Sequence, residues 1–153
     1  MDTIDKLLIV NEIKNLKSSY CRFIDTKAWD DYAGLFSEDA VMDVSVEVSA
    51  KPGTDEGIFK GRAEIVGIVQ RAVETAETAH QVHTPEVTVY SPISASAIWP
   101  MQDRLVWAEG KSPMPPIQTL TGFGHYHEEY IQHEGRWFIS SLRLTRLLRE
   151  FDK

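Results

Sequence analysis

The residues best suited to chemistry lie in the stretch 79–107, AHQVHTPEVTVYSPISASAIWPMQDRLVW. Two runs of β-branched and aromatic residues flank the breaker cluster SPIS, and this pattern predicts a long β-hairpin. Alternate residues of the second arm point to one face of the strand: Ala97, Trp99, Met101, Asp103, Leu105 and Trp107. Asp103 is the only charge among them. Its carboxylate must find partners or take up a proton, because desolvation penalises the anion.

The register of the hairpin decides whether a histidine of the first arm meets this acid. A turn centred on residues 92–93 places His80 opposite Leu105, with Asp103 one diagonal step away, about 7–8 Å between backbone positions. A bulge at residues 83–85 would shift this register by one residue. A histidine and an acid on one concave, apolar face are the best candidates in the chain for acid–base chemistry.

The composition is that of an ordinary globular protein. The chain has 153 residues, 42% hydrophobic and 25% charged, which suits a single domain over residues 1–153. The formal net charge is −7 and Lys and Arg form no block, which argues against nucleic acid and an anionic membrane as partners. Cys21 is the only cysteine, which is typical of a reducing compartment. With no signal-peptide pattern and no apolar run near ~20 residues, a cytoplasmic location is expected.

Apolar periodicity predicts three helices, over residues 3–25, 28–36 and 62–78. The apolar stripe of the first helix carries one polar group, the hydroxyl of Tyr20. Asp25 falls where the periodicity is interrupted, so we expect it at the corner between the first two helices.

Strands are predicted over residues 40–48, in both arms of the hairpin, and over residues 117–132 and 136–148. Glu134 and Gly135 have the residue types of a tight hairpin turn between the last two strands. Helices gathered on one face of an antiparallel sheet make an α+β domain. A curled sheet of this size, capped by helices, encloses a pocket with one open mouth.

Seven motifs extend over nearly the whole chain: YCRFID at 20–25, LFSEDA at 35–40, GRAEI at 61–65, HxxHTPEV at 80–87, WxxxDxL at 99–105, GxYxxxY at 124–130 and EGRW at 134–137. Together they resemble the SnoaL-like branch of the nuclear-transport-factor-2-like superfamily. The resemblance implies one SnoaL-like domain with a cystatin-like architecture, in which a cone-like, curved antiparallel or mixed sheet wraps on a three-helix layer and encloses one pocket. It also implies a homodimer or homotrimer joined through the outer face of the sheet.

The resemblance also implies site residues. Superfamily members that catalyse eliminations, among them scytalone dehydratase and bile acid 7α-dehydratase, use an Asp–His dyad whose positions match Asp25 and His80. The bile acid dehydratase adds a tyrosine on the first helix and an aspartate on the third long strand, which correspond to Tyr20 and Asp103. The tyrosine that both dehydratases place on the first strand falls at Val44 here. Other relatives are a dehydrochlorinase, polyketide cyclases and non-catalytic subunits of ring-hydroxylating dioxygenases.

The implied reaction is a cofactor-free elimination, or an isomerisation by the same proton transfer, on a hydrophobic cyclic small molecule. His80 is then the base, and Asp25 fixes its tautomer and stabilises the imidazolium. Asp103, kept protonated by apolar neighbours, and Tyr20 donate to the departing oxygen or to a developing enolate. The substrate-binding wall is expected to comprise Val44, Trp99, Met101, Phe123, His125 and Tyr126.

Other interpretations stay open from the sequence. Asp25 could instead cap the helix that begins near Ala28, and Asp103 could form a structural ion pair with Arg62 or Arg143. The domain could be a non-catalytic binding module or an oxygenase-like subunit, whose pocket holds a ligand without chemistry. A hydrolase of epoxides would need an Asp–Arg–Asp set around a water, and no arginine has an obvious inward position.

Two more alternatives concern histidines and tyrosine. His80 by itself is more often a satisfied core or rim residue, and Tyr20 on an apolar stripe is usually part of a core. His125 and His127 share one face of a strand, but no fixed-spacing Cys or acid completes a metal site with them. No metal and no cofactor are therefore expected.

Overall fold

Helices come early in the chain and strands late, in a computed structural model that describes residues 1–48 and 50–153. The helices are α1 (Thr3–Asp25), α2 (Trp29–Ala33) and α3 (Arg62–Val73). The strands are β1 (Phe36–Asp43), β2 (Ile58–Lys60), β3 (Ala76–Val82), β4 (Glu86–Ser91), β5 (Ser94–Trp107), β6 (Thr119–His133) and β7 (Arg136–Asp152). A turn of 3-10 helix, Ser45–Glu47, follows β1. Within the described residues, no helix combines the length and the apolar character needed to cross a bilayer.

The seven described strands form one mixed, curved sheet in the order β2-β1-β7-β6-β5-β3, and β4 pairs with the part of β5 that β3 leaves free. β1 runs parallel to β7, and the other neighbouring strands are antiparallel. Bulges interrupt the ladder between β6 and β7 at two places. Since a bulge bends its strand and increases the local twist, these irregularities help to curl the sheet. The predicted α+β architecture is confirmed.

Alternation of buried and less buried residues along β5 and β6 turns one face of the sheet toward the helices. The buried residues of β5 are Ala95, Ala97, Trp99, Met101, Asp103, Leu105 and Trp107. This set confirms the shared parity predicted for the second arm of the hairpin. The helix α1 packs its predicted stripe on this face: Ile9, Ile13, Leu16, Tyr20 and Ile24.

Several element boundaries differ from the predictions because strand pairing overrides local preference. The second helix ends at Ala33, and β1 begins at Phe36 rather than at residue 40, because Phe36 pairs with Ile139 of β7. The polar residues 37–39, which suggest a helix end, lie in a bulge of β1. The sequence did not predict a strand here, because the partner strand β7 is far away along the chain and adds no local signal.

Two other segments were assigned wrongly. Residues 44–48 were expected to extend the first strand, but the carboxylate of Asp43 accepts the N–H of Ser45 at 3.0 Å and the chain turns into the 3-10 helix. The third helix was expected to reach residue 78 but ends at Val73. β3 begins soon after, because Ala76–Val82 pairs along β5.

The hairpin register also differs from the prediction. His80 pairs directly with Asp103, so its predicted position opposite Leu105 is wrong by two residues. The turn itself lies where predicted, but the pairing is irregular at two places between His80 and the turn. One is near the end of β4 and the other is between β3 and β4. The second falls on residues 83–85, where Pro85 has no N–H to give to a ladder. The corrected register brings the histidine and the acid into direct opposition, with Cβ atoms about 4.5–5.5 Å apart.

A fully buried ion pair, Lys17 with Glu128, joins α1 to β6 inside the core. Glu128 also accepts the hydroxyl of Tyr130, and the oxygen of that hydroxyl accepts the indole N–H of Trp99 at 2.8 Å. Burial lowers the pKa of Lys17, and the charge of Glu128 opposes that shift. An unpaired charge in a core is strongly unfavourable, so each of the two side chains is needed to compensate the buried charge of the other.

We expect Lys17→Ala to lower the free energy of unfolding by about 3–5 kcal/mol, because the carboxylate of Glu128 is then buried without a counterion. The double variant Lys17→Met/Glu128→Leu should recover much of this loss. Lys60→Ala is the matched control, because its pair with Asp55 is exposed on both sides and contributes about 0–1 kcal/mol. Urea unfolding measures all three, and equal losses for the two single variants would contradict this account of the core.

Candidate active site

A cavity of about 310 Å³ lies between the inner face of the sheet and the helices α1 and α3. Most of its wall is apolar and includes Ile24, Met42, Phe59, Val69, Leu120 and Leu144. The polar side chains of the wall are Tyr20, Glu47, His80, Asp103, Tyr126 and Arg146. Because apolar surroundings strengthen electrostatic interactions, the contacts among these polar groups determine what the cavity can do.

The contact between Asp25 and His80 joins the end of α1 to the middle of β3. The ring Nδ1 of His80 lies 2.7 Å from Oδ1 of Asp25, and the backbone N–H of His80 donates to Oδ2 at 2.8 Å. The Asp25 side chain is 23% exposed and that of His80 is 7% exposed. Asp25 does not cap α2, which begins after Ala28 without any side-chain capping bond. The structure therefore brings together two residues that are 55 positions apart in the sequence.

These contacts also set the proton positions of the pair. Burial by itself would raise the pKa of Asp25, but hydrogen bonds from the side chain and backbone of His80, the charge of the ring and a bond from Thr78 lower it. An ionised carboxylate only accepts, so Nδ1 of His80 carries the proton. The opposite nitrogen, Nε2, is then the basic atom of a histidine that lines the cavity.

Two further residues support the carboxylate, and sequence reasoning missed both. The hydroxyl of Thr78 donates to Oδ1 of Asp25 at 2.9 Å, and Nζ of Lys27 donates to that hydroxyl at 3.0 Å. Lys27 has a φ of 59°, a left-handed conformation that a non-glycine residue adopts at a free-energy cost. The chain of contacts links the ammonium group of Lys27 to the Asp25 carboxylate through the hydroxyl of Thr78.

Asp103 is not the lone carboxyl that the sequence suggested. Its two oxygens accept from Nη1 and Nη2 of Arg146 at 2.7 and 3.0 Å. A bidentate guanidinium pair is a strong contact for an ionised carboxylate, and both oxygens are engaged as acceptors. The predicted role of Asp103 as a proton donor is therefore corrected to that of an acceptor, and its partner is neither Arg62 nor Arg143.

Arg146 is the main residue of the cavity wall that the sequence reasoning missed, since no arginine was expected to point inward. Simple alternation from Ile139 would turn it outward, but a bulge between β6 and β7 reverses the parity. After the bulge, Leu142, Leu144 and Arg146 share the inner face and line the cavity. The spacing of the two leucines was the available signal for this reversal.

The glycine at position 122 makes room for this ion pair. A Cβ on Gly122 would lie 2.5 Å from Oδ1 of Asp103 and would also collide with the guanidinium of Arg146. No side chain can therefore occupy this position of β6 while the pair keeps its geometry. Glycine at this position therefore has a structural reason, which is the close approach of the two side chains to the backbone of β6.

A second carboxylate completes the surroundings of Arg146. Nε of Arg146 donates to Glu47 at 2.6 Å, and Nη1 of Arg149 donates to the other oxygen of Glu47 at 3.2 Å. Burial by itself would lower the pKa of Arg146, but the hydrogen bonds and charges of Asp103 and Glu47 raise it. Nη2 carries a second N–H that has no partner among the described residues. The guanidinium is therefore a permanent cation with one N–H that the described residues do not engage.

Tyr20 and Tyr126 are buried side by side in the cavity wall, with ring centroids 5.8 Å apart. Burial raises the pKa of both phenols well above the usual value, so both hydroxyls are neutral donors near neutral pH. The ammonium of Lys17 lies 3.6 Å from the ring centre of Tyr20 and 3.7 Å from that of Tyr126. This cation–π contact holds the two rings against the core.

Of the six residues predicted for the substrate-binding wall, Val44 and Tyr126 line the cavity. Trp99 and Met101 lie on the inner face, but outside the cavity wall, and Met101 contacts Arg146 through sulfur at 3.7 Å.

The other two predicted wall residues, Phe123 and His125, alternate with the inward residues of β6 and lie on the opposite face of the sheet. This correction follows from parity. Tyr126 points inward, so odd-numbered neighbours on the same strand cannot. The ring of His125 lies beside that of His127, with centroids 6.3 Å apart, and His127 contacts Thr145.

Comparison with protein families finds one match that covers most of the chain. The SnoaL-like domain matches residues 5–143. A curated relative, named "Probable cyclase FGR4" from Gibberella zeae, is 28% identical over 140 residues, which cover 88% of this chain and 89% of that protein.

Solved structures share the fold at low sequence identity. A hexachlorocyclohexane dehydrochlorinase, LinA type 2, superposes with a TM-score of 0.79 at 18% identity, covering 99% of this chain and 94% of that chain. An uncharacterised protein with a cystatin-like fold from Caulobacter vibrioides superposes with a TM-score of 0.69 at 20% identity, covering 91% and 89% of the two chains. These likenesses extend the fold assignment to the whole chain.

The lowered pKa of Asp25 predicts how stability depends on pH. Because the folded-state pKa lies below that of an unfolded aspartate, about 4, the ionised group stabilises the fold above that pH. This contribution is lost as the pH falls through the lowered value. We expect the difference in unfolding free energy between the wild type and Asp25→Asn to be largest above about pH 4 and to shrink in stronger acid.

Urea unfolding at a series of pH values measures this difference. Asp55→Asn controls for the removal of a carboxylate, because the Asp55 side chain is 84% exposed and pairs only with an exposed lysine. A wild-type advantage over Asp25→Asn that stays constant into strong acid would contradict the lowered pKa.

Proposed function

The chain belongs to the SnoaL-like domain family, and within that family we propose that it is a cofactor-independent lyase, a dehydratase or a proton-transfer isomerase. The proposed substrate is a neutral, apolar cyclic small molecule with a carbonyl or an equivalent activating group. The names of two similar proteins, a probable cyclase and a dehydrochlorinase, support an enzymatic role for this fold.

The observation that carries the proposal is the contact between Asp25 and His80 at the edge of an apolar cavity. A protonated Nδ1 leaves Nε2 as a base, and the Asp25 carboxylate stabilises the imidazolium that forms when Nε2 takes a proton. The apolar wall limits water, which would otherwise compete for that proton.

The proposed steps can be written for a β-hydroxy ketone. Nε2 of His80 removes the proton next to the carbonyl, and the C–H electron pair becomes the enolate. The free N–H of Arg146 and the hydroxyl of Tyr20 donate to the enolate oxygen. The carbon–oxygen bond to the hydroxyl group then breaks, and the imidazolium returns its proton to the departing hydroxide. The products are a conjugated enone and water. Return of the proton to another carbon gives an isomerase instead.

Charge in the cavity favours a neutral substrate. The guanidinium of Arg146 already pairs with Asp103 and Glu47, and Asp25 adds a third carboxylate behind His80. A carboxylate on the substrate would therefore find no unpaired cation among the described wall residues and would lie close to several anions. A carbonyl oxygen needs only a donor, which the site has.

The same proposal includes self-association through the outer face of the sheet. Three apolar side chains are exposed there or at its border on β4, β5 and β6: Tyr90, Ile98 and Ile131. Apolar patches that remain exposed on one chain are typical of interaction surfaces. We propose a homodimer or homotrimer in which these residues are covered and the cavity is left open.

We expect His80→Ala and Asp25→Asn each to lower kcat by about 10²–10⁴-fold while ligand affinity stays within a few-fold, because the base or its orienting carboxylate is lost and the apolar wall is kept. The assay follows the ultraviolet absorbance of the enone formed from a panel of cyclic β-hydroxy ketones. His127→Ala is the matched control, because this histidine lies outside the cavity wall. If the wild type binds members of the panel but turns over none of them, the result would favour a non-catalytic binding module.

We expect Arg146→Lys to lower kcat by about 10²–10³-fold with little change in KM, because a lysine keeps the charge but loses the forked donors that hold Asp103 and reach the enolate oxygen. Arg104→Lys is the control, since Arg104 is exposed and contacts Thr121 on the outer face. Steady-state kinetics of both variants separate kcat from KM. An unchanged kcat for Arg146→Lys would remove this residue from the proposed mechanism.

A further inference from the structure

Lys27 lies in the turn between α1 and α2, and its ammonium group reaches the strand β3. A cation just past a helix end commonly interacts with the last carbonyl groups of that helix. Here Nζ of Lys27 instead donates at 3.0 Å to the hydroxyl of Thr78, 51 positions along the chain. The backbone of Lys27 has a φ of 59°, a conformation that glycine adopts at a lower cost. The position thus carries a long, charged side chain where glycine would make the easier turn.

The hydrogen bonds from Lys27 to the dyad run in one direction. An ammonium group only donates, so the oxygen of Thr78 accepts from Lys27, and its O–H donates to Oδ1 of Asp25 at 2.9 Å. The same Oδ1 atom lies 2.7 Å from Nδ1 of His80. Thr78 and His80 therefore share one acceptor atom. A cation at the far end of such a chain polarises the bonds in it, which strengthens the bond from Thr78.

The charge of Lys27 also acts on the dyad through space. Contacts of 3.0, 2.9 and 2.7 Å join its Nζ to the ring of His80, so the two groups lie closer than one Debye length, about 10 Å at 0.1 M salt. A positive charge at this range disfavours a second positive charge on the ring.

Other titratable groups face Lys27 or the dyad from four elements: Cys21, Glu74, Asp103 and Arg146. Burial raises the pKa of the Cys21 thiol to about 11, so this group is neutral near pH 7. Asp103 and Arg146 compensate each other in their bidentate pair. Lys27 is therefore the cation whose contacts lead to the Asp25 carboxylate, with Glu74 as a competing anion.

We propose that Lys27 is a positioning residue for the Asp25–His80 dyad, acting through the hydroxyl of Thr78. Its ammonium group fixes the direction of the Thr78 proton and draws part of the Asp25 charge away from the His80 ring. The imidazolium is then stabilised less, so Nε2 stays free to accept a proton at lower pH. This inference rests on the proposed function, which makes Nε2 the base, and it gives a role to a residue outside the cavity wall.

The test follows the His80 ring by NMR in the free protein, through the pH dependence of the chemical shift of its Cε1 carbon. The signal is identified by its absence from His80→Ala. We expect Lys27→Met to move the midpoint of this curve to higher pH by about 0.5 unit, because the loss of a nearby cation favours the imidazolium. The acidic limb of kcat/KM should move in the same direction, since it reports proton uptake by the base.

Three further variants make the result specific. Lys27→Arg keeps a cation with several donors and should keep the wild-type midpoint. Lys27→Gly removes the ammonium group and relieves the left-handed backbone, so it should show the same shift even if Lys27→Met folds poorly. Lys60→Met removes an exposed lysine of β2, at the opposite edge of the sheet from β3, and should leave the midpoint unchanged.

A purely structural role for Lys27 predicts a different result. Lys27→Met would then lower the free energy of unfolding without moving the midpoint. Unchanged midpoints in both Lys27→Met and Lys27→Gly, or an equal shift in Lys60→Met, would overturn the inference and leave the lyase proposal intact. If the midpoints move as expected but the wild type turns over no member of the ketone panel, the coupling of Lys27 to the dyad stands and the lyase proposal fails.

Discussion

The hydrogen bonds between Asp25 and His80 are the interaction on which the site depends. Asp25 is the last residue of α1, where the negative end of the helix dipole disfavours a carboxylate. Two donors from His80 and one from Thr78 outweigh this cost and the cost of burial. The contact therefore does two things at once, because it docks the end of α1 against an edge strand and orients the ring that lines the cavity.

A wider constraint follows from placing charges inside apolar surroundings. Each buried or half-buried charge around the cavity has an opposite or hydrogen-bonding partner, including Asp103 with Arg146 and Lys17 with Glu128. Such pairs contribute little net stability, because desolvation offsets their attraction, but the loss of one partner is severe. The pairs therefore hold these polar groups in fixed positions within apolar surroundings. Gly122 shows how far the backbone adapts to one of these pairs, because the side chains of Asp103 and Arg146 occupy the space that a Cβ at this position would need.

Local patterns in the sequence were sufficient for much of the fold. The 3.6-residue period predicted the buried stripe of α1, and strict alternation predicted the inner face of β5. The turn at Glu134 and Gly135 was predicted from residue type, and both residues have the positive φ that this turn needs. Strand alternation and the hairpin register singled out His80 together with Asp103, but only the family resemblance paired His80 with Asp25. No periodicity could relate two residues that meet only after the sheet has formed.

What the sequence by itself determined is therefore the three helices and most of the strands, the buried faces of α1 and β5, the α+β class and the family. Only the tertiary structure decided which side chains meet. Two irregularities in the hairpin put His80 directly opposite Asp103, and a bulge in β7 turned Arg146 inward, where it engages the carboxylate expected to act as an acid. The physical reason is that one inserted residue moves the side chain of every later residue in the strand to the opposite face of the sheet. Pairing with distant strands sets the position of that insertion.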